Sequence, residues 1–275
     1  KKVDKYNDYE YINTKSEFAN ISPTGKTLLV ADIDMEGFEW SIIEQFSGKL
    51  IGDGHTVSNI AINNQNAQYV GLFATNNGNI ESVIFNNIIV TYEVSDSYDN
   101  AYIGVIAGHN KGSIRSCVVK YSNITCWLYK KVGTSSTLKI SVGGIAGKNT
   151  STIYDCCLRD TKILGQSSIG ISDGAVEANV GGIVGMNVDC GTVEKCNANT
   201  NSIEAIVYGG KTWTATRYRT YARAGGIVGY NSASIISCQT SNNSLNAEYS
   251  TQQGGAPDNH NSTGSIAGTN DGTIS

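Results

Sequence analysis

Proline and charge are both scarce in this chain of 275 residues, which has two prolines and 16% charged side chains. So few prolines exclude a Pro-rich linker, and 31 glycines without a triplet period exclude a collagen-like repeat. Lys and Arg together number 20 against 24 for Asp and Glu, a net charge of -4. No basic field exists to concentrate a polyanion, so nucleic acid is not an expected partner. No apolar run approaches the roughly 18 residues of a membrane span, so direct membrane insertion is not expected. Chemical signatures are missing as well. The seven cysteines form no Cys-x-x-Cys pair and the three histidines no His-Glu-x-x-His motif. Gly52-Asp53-Gly54-His55 is Gly-rich but opens no helix, so it is not a phosphate loop. No catalytic residue, metal site or cofactor is expected.

What the chain does have is a repeat. Six segments align: Val70-Gly71-Leu72-Phe73-Ala74, Ile103-Gly104-Val105-Ile106-Ala107-Gly108, Val142-Gly143-Gly144-Ile145-Ala146-Gly147, Val180-Gly181-Gly182-Ile183-Val184-Gly185, Ala224-Gly225-Gly226-Ile227-Val228-Gly229 and Thr263-Gly264-Ser265-Ile266-Ala267-Gly268. An asparagine follows each, at Asn77, Asn110, Asn149, Asn187, Asn231 and Asn270. Next comes an aliphatic residue, at Ile80, Ile114, Ile153, Val193, Ile235 and Ile274. From the first Gly to that position the step is nine once, ten four times and twelve once. Three residues further stand Val83, Cys117, Cys156, Cys196 and Cys238, and two beyond them Phe85, Val119, Leu158, Ala198 and Thr240. A step of two is a strand with one buried face. The step of three spans mostly polar pairs such as Arg115-Ser116 and Glu194-Lys195, the mark of a corner.

Each unit thus holds about twenty constant residues and a variable stretch that returns the chain one layer higher. The simplest such object is all-β: a right-handed parallel β-helix or β-solenoid, with hairpin extensions formed by the variable stretches. Equivalent asparagines would stack and bond along the rod axis. A helical reading fails because Gly-Gly and β-branched runs oppose a helix in most repeats.

The Gly-Ile-Val-Gly-x-Asn cores at Gly182 to Asn187 and Gly226 to Asn231 resemble the GLUG repeat of bacterial surface and secreted proteins. That family includes adhesin-like proteins and the non-catalytic part of some IgA-specific metallopeptidases. Ala31-Asp32-Ile33-Asp34, Trp40, Phe46-Ser47-Gly48 and Gly52 to Val57 are similar to the segment that usually precedes such repeats. The resemblance spans roughly residues 25 to 275 and implies a scaffold, not an activity. It divides the chain into an N-terminal cap with a first coil, residues 1–66, and the repeats, residues 67–275. Within the cap, Asn13 to Ile21 suit a short amphipathic helix or turn over the open first coil. At the other end Ser275 stops within a sixth unit, so a longer chain with further domains is expected.

Cys117, Cys156, Cys196 and Cys238 share one column, where buried core thiols are expected. A Cys157 to Cys190 bridge is geometrically open. His109, before the asparagine column, is expected to face solvent. Asp32, Asp34 and Glu36 form the best acidic cluster, and closing turns is the expected role. Function is sought on the variable hairpins, where insertions on a solenoid map to one face. Trp127 and Tyr129 in the second, with Trp213, Arg217, Arg219 and Tyr221 in the fourth, are the candidate ligand residues. Aromatic rings flanked by Arg and Lys suit a sugar or an acidic partner. The reading is a non-catalytic, extracellular or cell-surface adhesin-like or scaffold segment that binds a host or cell-surface glycan or protein. The alternatives are a carbohydrate-active β-helix enzyme, a polysaccharide lyase or glycoside hydrolase, and the scaffold part of a large secreted protease.

Overall fold

A computed structural model describes residues 6–64, 67–95, 98–131, 137–169, 175–209, 219–251 and 258–275. The coil from Thr152 to Asn187 serves as the pattern for the rest. Its strands are Thr152–Tyr154, Cys157–Arg159, Lys162–Ile169, Ala175–Gly181 and Val184–Asn187. Each pairs in parallel with its counterparts one coil before and one coil after. Five parallel sheets result, called I to V here in the order a coil visits them. Complete coils run from Lys49 to Asn270. This is the expected parallel β-solenoid, and at the parallel-strand spacing its six coils make a rod about 30 Å long.

Strand alternation fills the rod. Leu50, Ile80, Ile114, Ile153, Val193 and Ile235 line sheet I, and Val57, Phe85, Val119, Leu158 and Ala198 line sheet II, all buried. The corner between these sheets is one left-handed residue per coil: Ser82, Ser116, Asp155, Lys195 and Ser237, at φ from 50° to 55°. A second such corner leaves sheet II at Asn59, Asn87, Tyr121, Asp160, Thr200 and Asn242. The left-handed region costs a residue with a Cβ about 1–2 kcal/mol. Backbone bonding survives the bend nonetheless, as in Asp155 N donating to Glu194 O at 2.9 Å. Between the corners lie the cysteines. The Cys117, Cys156, Cys196 and Cys238 thiols are unbridged, and each lies within bonding reach of backbone carbonyls. Burial holds the Cys156 thiol well above its ordinary pKa, so it packs as a neutral core group. Cys157 is half-buried and Cys190 exposed, and neither is bridged.

The variable stretches do extend from the rod, but the arms of one hairpin do not pair with each other. The outgoing arms stack as sheet III and the returning arms as sheet IV. These sheets pack face to face through alternating buried residues: Val90, Tyr92 and Val94, then Ile124, Cys126 and Leu128, against Leu138, Ile140 and Val142. A Cβ on Gly165 would stand 2.7 Å from Val180 Cγ2 and 3.0 Å from Val142 Cγ2, so the two sheets are in tight contact there. The extension is therefore a small sandwich with two opposite outer faces.

The N-terminal end is covered as expected. A short helix, Lys15–Ala19, opens with a capping box in which Thr14 and Glu17 satisfy each other's backbone amides. It buries Phe18 against Trp40, ring centroids 5.3 Å apart. Asp34 closes a turn by accepting from Glu36 N at 3.0 Å, but both acids mainly tie neighbouring coils: Asp32 accepts from Thr56 N at 2.8 Å, and Asp34 from Asn59 Nδ2 at 2.7 Å.

The asparagine column corrects one sequence assignment. Asn110, Asn149, Asn187, Asn231 and Asn270 form the ladder, but its first member is Asn76, not Asn77. Each Nδ2 donates to the next Oδ1, at 2.8 Å for the four steps from Asn76 to Asn231 and 2.6 Å for the last. Asn76 is buried, whereas Asn77 is exposed. The first unit is one residue short between Val70, which pairs with Ile103, and Phe73, which pairs with Ala107. Ala74 therefore takes the place of the last Gly.

The buried Asn76 amide donates to Asn110 Oδ1 at 2.8 Å and accepts from Gly78 N at 3.1 Å, and removing it leaves both unpaired, at about 1–3 kcal/mol. Asn76→Ala is accordingly expected to lower unfolding free energy by about that much, while Asn77→Ala stays within about 0.5 kcal/mol. Urea denaturation of the two variants measures this. Equal losses would undo the register assigned here.

Candidate functional site

Two outer surfaces of the sandwich carry the chemistry, and they point in opposite directions. On sheet III the outward residues form rows across the coils. One row is Glu93, Trp127, Gln166, Ile206 and Glu248; the next is Ser95, Tyr129, Ser168 and Tyr208. Trp127 is 42% exposed, and its ring centroid lies 6.5 Å from that of Tyr129, tilted by 56°. Glu93, Val94, Ser95, Trp127 and Tyr129 line a cavity of about 340 Å³. A second cavity, about 250 Å³, opens at the N-terminal end of the same face, between Phe38, Glu39, Trp40, Ala61 and Asn63. Further along, Asn246 Nδ2 donates to Glu204 Oε1 at 3.0 Å and to Glu248 Oε1 at 2.9 Å. Those two carboxylates are thus at most about 6 Å apart, a span that fits paired acids on a sugar.

The other surface lies where sheets IV and V meet. A Cβ on Gly143 would stand 2.2 Å from Ala146 O and 2.7 Å from Gly185 N, so a larger residue would keep strand V from folding over strand IV. Outward side chains of the two sheets then touch, which makes the angle re-entrant. Tyr69 stacks on His109 at 5.6 Å, Lys148 sits 5.8 Å over Tyr102, and Arg223 lies 5.1 Å from Tyr230. Within the angle Glu177 Oε2 meets Lys139 Nζ at 3.3 Å and Arg223 NH1 at 3.1 Å. Arg223 also donates to Asn179 Oδ1 at 2.8 Å and stacks on Tyr221 at 4.4 Å. Alternating charges on neighbouring strands thus satisfy one another.

The six candidate ligand residues do not converge. Trp127 and Tyr129 stand on the outer face of sheet III. Arg219 and Tyr221 stand on the outer face of sheet IV, where Tyr221 stacks on His260 at 5.1 Å. Trp213 and Arg217 lie outside the described residues. Sequence reasoning passed over Glu93, Gln166, Tyr208 and the Glu204–Glu248 pair. Period-two alternation carried the signal, once the outgoing arms are set in register across coils.

No family model matches the chain. The GLUG resemblance therefore stands on the repeat residues alone. Over 75 residues the chain is 37% identical to halomucin of Haloquadratum walsbyi, a stretch that makes up 26% of this chain and 1% of halomucin. Among solved structures it is similar to a Bacteroides ovatus protein provisionally assigned as an immunoglobulin A1 protease. The TM-score is 0.47 at 17% identity, covering 94% of this chain and 83% of that one.

His109 corrects another expectation. It is 6% exposed, enclosed by the Tyr69 ring and by Thr150, whose Oγ1 is 3.0 Å from Nε2. Burial, with Lys148 and Lys111 nearby, pulls its pKa down to about 4. An unfolded histidine titrates near 6.5. As pH falls the unfolded chain takes up the proton first, so this contribution is full above pH 6.5 and lost by about pH 4. The shift corresponds to about 3 kcal/mol. Urea unfolding at pH 7 and pH 4.5 is expected to show most of that loss in the parent and much less in His109→Gln. A parallel loss in both would assign it to another group.

Proposed function

We propose that this chain is a non-catalytic, adhesin-like segment of an extracellular or cell-surface protein, and that the outer face of sheet III is the surface it presents to a glycan or protein. The observation that carries the reading is a clustering. Phe38, Ile89 and Trp127, three of the seven exposed large apolar side chains among the described residues, lie on or beside this face. Two cavities open on it as well. Exposed apolar groups gathered on one face mark interaction sites, whereas scattered ones do not. The GLUG resemblance and the stretch shared with halomucin support a location outside the cell.

A carbohydrate-active enzyme is the competing reading, and the Glu204–Glu248 pair is what favours it. Two facts weigh against it. Glu248 is exposed and Glu204 half-buried on an open sheet, whereas a general acid needs an apolar wall to keep its proton at neutral pH. In the re-entrant angle of sheets IV and V, the Glu177 carboxylate is neutralised by two cations.

Incubating the purified protein with a panel of polysaccharides, while following binding and the appearance of new chain ends, separates the two. Retention without new ends is expected. New ends that vanish in Glu204→Gln or Glu248→Gln would replace the binding reading with an enzymatic one.

A further inference from the structure

Resting on the presentation reading, we infer that the sheet III face takes an extended, uncharged glycan that lies along the rod axis and is anchored at Trp127 and Tyr129. The first argument is charge. Glu93, Glu204 and Glu248 point outward here, with Lys162 the cation on these rows, so the face repels polyanions. Of the sugar and the acidic partner that the hairpin sequences suit, this favours the sugar: the arginines belong to the opposite face or lie outside the described residues, and Lys130 pairs with Asp99.

The second argument is surface chemistry. The exposed Trp127 ring offers a flat, electron-rich face to the slightly positive C–H groups of a pyranose. Glu93 lies beside it in the cavity and Gln166 is its neighbour one strand on. A carboxylate and an amide there can accept from and donate to sugar hydroxyls. A quaternary ammonium also favours aromatic rings beside an acid. Yet the cavity has two tilted ring walls and a volume of about 340 Å³, more space than one methylated amine fills.

The third argument is register. Tyr129 and Tyr208 stand on one row with Ser168 between them, two strand spacings apart. Two spacings are about 9.6 Å, close to the length of a disaccharide unit in an extended chain. Rings at every second layer would meet every second sugar.

Calorimetry with neutral oligosaccharides of two and six sugars (xylose-, glucose- and mannose-based series), a six-sugar uronate and phosphocholine tests this. At least one neutral six-sugar chain is expected to bind, while the uronate and phosphocholine do not. Trp127→Ala is expected to weaken binding at least tenfold with an unchanged melting temperature. Tyr208→Ala is expected to weaken the six-sugar ligand several-fold and leave the two-sugar ligand alone. Loss of folding in Trp127→Ala would be met with Trp127→Tyr, which keeps a ring and is expected to retain partial affinity. Preference for the uronate or phosphocholine overturns the ligand class. Binding indifferent to Trp127 but lost in Arg219→Ser overturns this site and, with it, the choice of the sheet III face as the presented surface. Should no glycan bind at all, this inference fails, and capture of a protein partner through Trp127 would still uphold the broader reading.

Discussion

Parallel backbone pairing between coils is the constraint on which everything else depends. A residue at any position must tolerate its own counterpart one strand spacing above and below. Aliphatic side chains meet that condition by packing, and asparagine meets it by donating upward and accepting from below. Like charges cannot meet it, because at that spacing inside a partly dry groove they repel strongly. The outward column that holds Lys139 and Glu177 alternates in sign and continues as Tyr221, with the Arg223 cation entering from the neighbouring column. Low charge content and columnar repetition are two faces of one requirement.

Much of this was legible in the residues. The Gly-Gly-Ile core, the asparagine and the aliphatic position repeat because each has one structural job per coil, so counting them recovered the parallel solenoid. The first unit went astray at Asn77. Its missing residue showed as the step of nine from Gly71 to Ile80, but not where the gap fell. A second spacing held the answer: four residues separate Asn110 from Ile114 and Asn149 from Ile153, and Asn76, not Asn77, keeps that interval to Ile80. His109 misled for a different reason. Its outward position was read correctly, yet outward is not exposed where two sheets fold toward each other.

The arms were harder still. Aromatic and basic residues in the second and fourth hairpins looked like one surface, because a hairpin suggests two strands sharing a sheet. Stacking between coils outcompetes pairing within the hairpin, and it sends the outgoing and returning arms to opposite faces. Trp127 and Tyr221 were thereby separated, and Glu93, Gln166 and Tyr208 joined Trp127 instead. No local pattern reports which face of an arm is outermost. That emerges only when equivalent arms are laid side by side.

The axis along which the coils stack also has a mechanical meaning. Strands lie across the rod and their hydrogen bonds lie along it, while the two ends of the described chain sit at opposite ends of the stack. A pull applied between those ends therefore loads the bonds a few at a time, as in opening a zipper, and peels the outermost coil before the next one bears force. The coil from Thr152 to Asn187 would release about 120 Å of chain at the extended length per residue. Built this way, a solenoid tethered at both ends yields in steps and lengthens many-fold under tension, while the coils still stacked keep their surface intact.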